Sequence, residues 1–219
     1  MPRIYNGVGM LTEVVSTEVE DALVAVDRWL CDYVRRPHGE LGRSGAVCPF
    51  VGPSQRAGSL EMRVRIVGPS PNSATVTGVL RLALHEFNQI PWLGDTPALR
   101  ALLVVLPNVP DDRLHLLDRA HEVVKTEAVR HGMMIGRFHA KCPERAARNL
   151  DFLVSRSPVP LFALRPMALH DVLFLGDKRE WFEAYFGRFS AHYRDGNDRI
   201  DHLIVERFER ACNAYGLSR

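Results

Sequence analysis

The chain predicts an α/β protein of the α+β kind, one domain over residues 1–219 with a mixed or antiparallel sheet and helices packed on it. Three observations predict it. Residues 60–67 alternate Leu60, Met62, Val64 and Ile66 against Glu61, Arg63 and Arg65, the period of a strand with one buried face. Residues 17–36 and 111–131 carry apolar side chains at helical spacing. The strand-like segments do not alternate regularly with the helical ones, as a doubly wound fold requires.

Each element follows from its local pattern. In residues 17–36, Val19, Leu23, Val26, Leu30 and Tyr33 fall on one helical face behind Ser16 as the expected N-cap. Residues 37–58 hold Pro37, Gly39, Gly42, Gly45, Pro49, Gly52 and Pro53 and predict a loop. It is long for a compact domain and carries an apolar island, Val47 to Val51, so it is expected to be functional. Residues 75–88 suit a helix through Val79, Leu82, Leu84 and Phe87, and residues 101–106 a buried strand ended by Pro107. In residues 111–131, Leu114, Leu117, Ala120, Val124 and Ala128 share a face and Gly132 is the C-cap. Residues 133–138 and 159–165 read as strands, the second placed at an edge or a strand start by Pro158 and Pro160. Residues 141–156 are polar, basic and short of pattern. Residues 178–193 and 198–215 predict two helices parted by Asp195–Gly196, with Trp181, Tyr185 and Phe189 on the buried face of the first.

Composition excludes several classes. Net charge is +2 with histidines neutral, which leaves no electrostatic footprint for nucleic acid. The longest apolar run, at Leu102 to Leu106, is far below the roughly 20 residues of a membrane span. The first ten residues have no apolar core of a secretory signal, so a cytoplasmic chain is expected. The four cysteines, Cys31, Cys48, Cys142 and Cys212, show no CxxC pairing and are expected as free thiols. There is no GxGxxG after a strand, no GxxxxGK[ST], no HExxH and no GxSxG.

Two segments concentrate the chemistry. Residues 38–51 contain Cys48 followed by Pro49, an arrangement that frees the sulfur of a competing N–H and suits a thiolate on haem iron. The alternative is a small buried hydrophobe anchoring a loop. Residues 132–149 contain Arg137 and His139 on one side of a strand, then Arg145 and Arg148 on one face of an expected short helical turn. Converging guanidiniums suit haem propionates, an amino-acid carboxylate or a phosphate; the alternative is a solvated basic surface. His139, Cys142 and Cys48 could also supply three zinc ligands, although only one close pair exists. His115 and His121 fall on different helical faces, against a shared metal. His170–Asp171 reads as an ordered imidazole or a loop-capping carboxylate.

The strings HGELGRSGAVCPFVGPS (38–54), GMMIGRFHAKCPERAARNLDFLVSRSPVPLFALRPM (132–167) and HDVLFL (170–175) resemble a bacterial domain family of unassigned activity, frequent in actinobacteria and met beside specialised-metabolite genes. The order of Cys48, then Ile135-Gly-Arg-Phe-His139, then Arg145 and Arg148 also resembles the layout of the cryptic haem-enzyme family that N-oxygenates guanidino compounds or releases hydroxyurea from hydroxyarginine. The chain departs from that family in lacking its glycine-alanine continuation after the cysteine and its C-terminal pattern. The resemblance implies a haem-dependent oxidative tailoring enzyme for a small amino-acid-like or guanidino substrate. Cys48 or His139 would be the axial metal ligand and catalytic centre, with Arg137, Arg145 and Arg148 holding propionates or substrate. Two other readings are a cofactor-free binder of a small anion and a structural partner, possible as a homodimer, docking through the aromatic helix.

Overall fold

The computed structural model describes residues 3–6, 17–193 and 199–218. The Ser16 cap and the Asp195–Gly196 break lie outside them. The chain divides into two compact units, Met1–Val124 with Ile135–Pro166, and Lys125–Met134 with Met167–Arg219.

The first unit is built on a mixed five-stranded sheet. Its strands are β1 (Arg3–Asn6), β2 (Leu60–Ile66), β3 (Ala101–Val105), β4 (Met133–Phe138, counted with this unit from Ile135) and β7 (Leu161–Pro166), in the order β1-β2-β3-β7-β4. β1 and β3 run parallel to β2, with Val64 opposite Val105, and β7 returns antiparallel to β3. Parallel neighbours need helical crossovers. These are α1 (Thr17–Trp29), continued by a π turn Leu30–Val34, with α2 (Val51–Arg56), and then α3 (Ser73–Phe87). Asn72 caps α3 by accepting from Thr75 N at 2.9 Å. The helix expected at 75–88 is therefore real, and the crossovers restore part of the alternation that the sequence hides.

Of the stripe expected on the first helix, Val19, Val26 and Leu30 are buried, while Leu23 and Tyr33 are only partly so and Ala22 and Val34 complete the buried face. Val19, Ala22, Val26, Leu30 and Val34 pack against Val64, Leu103, Val105 and Leu161. Each such side chain contributes about 1.5–3 kcal/mol on burial. The charged face of β2 departs from expectation, because Arg63 and Arg65 are buried too, Arg65 to 1% exposure. Glu86 of α3 receives both, from Arg63 Nη1 at 2.6 Å and Arg65 Nη2 at 2.6 Å. A carboxylate on the covering helix lets the strand bury its arginines.

One further expectation is narrowed and another corrected. Of the two places that Pro158 and Pro160 allowed, the strand start is the one found: they directly precede β7, which lies between β3 and β4 and not at an edge. Residues 141–156 form a hairpin of β5 (Arg145–Ala146) and β6 (Asn149–Leu153), so Arg145 sits on a strand and Arg148 in its turn, with no helical turn to align them.

In the second unit, α5 (Val172–Leu175), α6 (Arg179–Phe189) and α7 (His202–Tyr215) enclose Phe182, Tyr185, Tyr193 and Phe208. Trp181 and Phe189 are partly buried beside them, and Trp181 Nε1 donates to Thr126 Oγ1 at 2.9 Å. The aromatic face of α6 is thus packed inside its own unit. No helix of the described residues is long and apolar enough to cross a membrane.

Candidate functional site

The site is set by one helix and the strand after it. α4 (His115–Arg130) ends at Gly132, whose φ of 72° makes the left-handed turn that glycine favours, and β4 starts at once. From Gly132 the helix rises about 21 Å back to Asp118, and the extended chain covers about 23 Å forward to His139. Asp118 and His139 are therefore brought level.

The contacts follow that register. His139 Nε2 lies 3.3 Å from Asp118 Oδ1. Arg137 Nε donates to the same oxygen, and its Nη1 donates to Glu144 Oε2 at 3.0 Å. One turn along α4, His121 Nδ1 accepts from Arg137 Nη1 at 3.3 Å. His121 Nε2 then carries the proton and donates to Ile135 O at 3.2 Å. Burial works against the Arg137 charge, yet the Asp118 hydrogen bond and the neighbouring Cys142, Glu144 and Asp118 charges overcome it and hold the guanidinium above its ordinary value.

After His139 the chain turns tightly, Cys142 N donating to His139 O at 3.0 Å. That turn buries the Cys142 thiol completely, and burial pushes its pKa up. Asp118, His139 and Cys142 form a group whose ligand-type atoms all lie within 4.8 Å of one another. The sequence pointed to His139 and Cys142 as a close pair with Cys48; the residue that joins them is Asp118.

His139 is 1% exposed, and its Nδ1 is buried with no hydrogen-bond partner among the described residues. With Nε2 donating to Asp118, Nδ1 holds an unserved lone pair. The imidazole and Asp118 border a cavity of about 280 Å³, edged by Asp111, Asp112, His115 and Lys141. Lys141 Nζ donates to Asp111 O at 3.2 Å.

The other expected residues take different places. Cys48 is partly buried against the α1 and β-strand core, its N–H donating to Val34 O at 2.9 Å, and it does not line the cavity at His139. Arg145 donates to Leu150 O and closes its own hairpin. Arg148 lies under the glycine-rich loop, where Gly42 has φ 70° and an added Cβ would come within 3.0 Å of Arg148 Cβ. The loop and the mid-chain segment do meet, though through other groups. His38 stacks on Phe152 at 4.5 Å, and Asn149 Nδ2 donates to Glu40 O at 2.8 Å. Arg43 ties the loop together through Ser44 O, Ala46 O and Val47 O. Asp171 serves as a loop cap, accepting from Ala168 N at 2.7 Å.

Fold and cluster together define a mixed α/β protein with a partly buried carboxylate–imidazole–guanidinium network at a surface cavity. The chain belongs to the family described as a domain of unknown function, DUF6875, whose model matches residues 23–199. Asp118, Arg137, His139, Cys142 and Glu144 all fall inside that stretch. No curated protein and no solved structure matches the chain.

Proposed function

We propose that the protein is an enzyme that handles a small amino-acid-like or guanidino compound in the cavity at His139. One observation carries the reading: a nearly fully buried imidazole is held by Asp118, itself fixed by Arg137, at the wall of that cavity. A carboxylate that fixes the orientation and tautomer of an imidazole at a cavity wall is an arrangement that enzymes use to position a histidine against a substrate. Asp111 and Asp112 present negative charge to an ammonium or guanidinium, and Lys141 presents a cation to a carboxylate. A cysteine–histidine nucleophile fits less well, because Cys142 is sealed from the cavity and its burial favours the thiol over the reactive thiolate.

The arginines expected to grip an anion are engaged elsewhere, Arg137 with Asp118 and Glu144, and Arg145 with Leu150. Haem chemistry, the reading suggested by Cys48, calls for a slot that takes a flat macrocycle. A cavity of about 280 Å³ edged by aspartates favours a smaller occupant. Bacterial specialised metabolism, the setting that the sequence resemblance implies, fits tailoring of such a compound.

Thermal unfolding of the purified chain with arginine, agmatine or glutarate tests the reading. A probe at a hundred times its Kd stabilises by about 2.7 kcal/mol. The guanidino probes should raise Tm, and Asp111→Asn with Asp112→Asn should abolish the rise. No rise with any probe would remove the cavity reading, and a Soret shift on hemin titration that Cys48→Ala abolishes would return the chemistry to haem.

A further inference from the structure

His139 turns Nε2 toward the Asp118 carboxylate, 3.3 Å from Oδ1, in a position that solvent barely reaches. Beside it stand a carboxylate and a buried sulfur, each with an atom within 4.8 Å of the ring. Oxygen, nitrogen and sulfur donors in one group, two of them buried and the carboxylate partly so, are the set that zinc-like ions take.

We infer that Asp118, His139 and Cys142 bind a divalent transition-metal ion of zinc type at the edge of the cavity. The distances suit it. Donors about 2.0–2.3 Å from a tetrahedral ion lie about 3.3–3.8 Å from each other. The Asp118–His139 pair already stands at 3.3 Å, and since no pair is wider than 4.8 Å, none needs to close by more than about 1–1.5 Å.

Charge suits it as well. With the imidazole neutral, Arg137 offsets one of the two carboxylates Asp118 and Glu144, and the apo cluster keeps one negative charge. On binding, the Cys142 S–H bond breaks as the sulfur–metal bond forms and its proton leaves to solvent, while the imidazole proton passes from Nε2 to Nδ1 so that the Nε2 lone pair takes the ion; nothing is oxidised or reduced. The dication, the thiolate and the remaining carboxylate then sum to zero, as a buried site requires. Three protein ligands leave a fourth position open, the arrangement of catalytic rather than structural zinc. Asp118 and His139 both border the cavity while Cys142 does not, so the open position belongs on the cavity side. Arg137 and Glu144 act as positioning residues, holding Asp118 in place through hydrogen bonds.

The inference shares His139, Asp118 and the cavity with the reading above and, with the ion bound, makes the two residues its ligands in place of a proton-handling pair; its test needs no substrate. The full-length chain is stripped with a chelator and titrated with Co²⁺. The expected result is an equimolar end point, with a near-ultraviolet thiolate-to-cobalt band and the visible bands of tetrahedral cobalt, all removed by Zn²⁺. Cys142→Ser should lose the near-ultraviolet band, while Cys31→Ser and Cys48→Ser keep it. Arg137→Gln should weaken Co²⁺ binding about 10–100-fold with the band unmoved. Absence of the thiolate band in the wild-type chain, which needs no variant to fold, would overturn the site, as would its persistence in Cys142→Ser. If cobalt fails while guanidino probes still raise Tm, the metal falls and the cavity reading stands; the reverse pattern removes the cavity reading alone.

Discussion

Asp118 is the residue on which the site turns, and replacing it with asparagine separates charge from shape. Asp118→Asn keeps the volume and removes the negative charge that Arg137 and His139 share. Removing one member of a buried ion pair costs about 3–5 kcal/mol, chiefly because the other charge is left without compensation. Two features reduce that here. The Asp118 side chain is 25% exposed, and Glu144 still faces the Arg137 guanidinium at 3.0 Å. A loss of about 2–3 kcal/mol is therefore expected. Urea unfolding followed by circular dichroism reads it as a lower midpoint with an unchanged slope. Arg137→Met should cost less in the Asp118→Asn background than in the wild type, with a coupling energy of at least about 1 kcal/mol. A loss below about 0.5 kcal/mol, the range of ordinary surface substitutions, would show that the pairing adds nothing to the folded state.

Two further outcomes follow from the fold. Gly42→Ala should destabilise by about 1–2 kcal/mol or more, since it places a Cβ at φ 70° and against Arg148; a neutral effect on the unfolding midpoint would contradict the docking of the loop on the β5–β6 hairpin. Burial pushes the Tyr193 hydroxyl up to about 12 and raises its partner Tyr185 further, the two oxygens lying 2.6 Å apart. Unfolded tyrosines ionise near 10.0. The pair's contribution is therefore intact below pH 10 and fades as pH rises from 10 toward 12, by about 1.4 kcal/mol per pH unit for each group. Alkaline melting curves should be shallower for Tyr193→Phe, and identical slopes would refute the assignment.

How much of this was legible depends on where the period of the sequence points. The stripes of α1 and α4 and the apolar side of β2 were readable because helix and strand repeats place those residues toward the core. Arg63 and Arg65 misled, since alternation sends charge to solvent and the compensating Glu86 stands far along the chain on α3. The hairpin after Cys142 lacks an alternating buried face, for Leu150 is exposed on β6 and the strand holds partly by docking under the glycine-rich loop. In the candidate site, strand spacing placed Arg137 and His139 on one side, where both meet Asp118, a residue the sequence reading did not single out. The signal was present in a form that motif reading does not use: a helix, a single glycine and a strand, whose unequal rises bring Asp118 level with His139. Cys48 attracted attention through its proline, a local feature, whereas its side chain packs on the core.

The most direct test of the account is a long-range ¹H–¹⁵N correlation spectrum of the histidine rings in the metal-free chain. The Asp118 contact predicts that neutral His139 carries its proton on Nε2, with Nδ1 bare. Its signals should move in Asp118→Asn and stay in place in Cys48→Ala. A His139 protonated on Nδ1, or one indifferent to the loss of the Asp118 charge, would contradict the arrangement from which the proposed activity and the metal site are both argued.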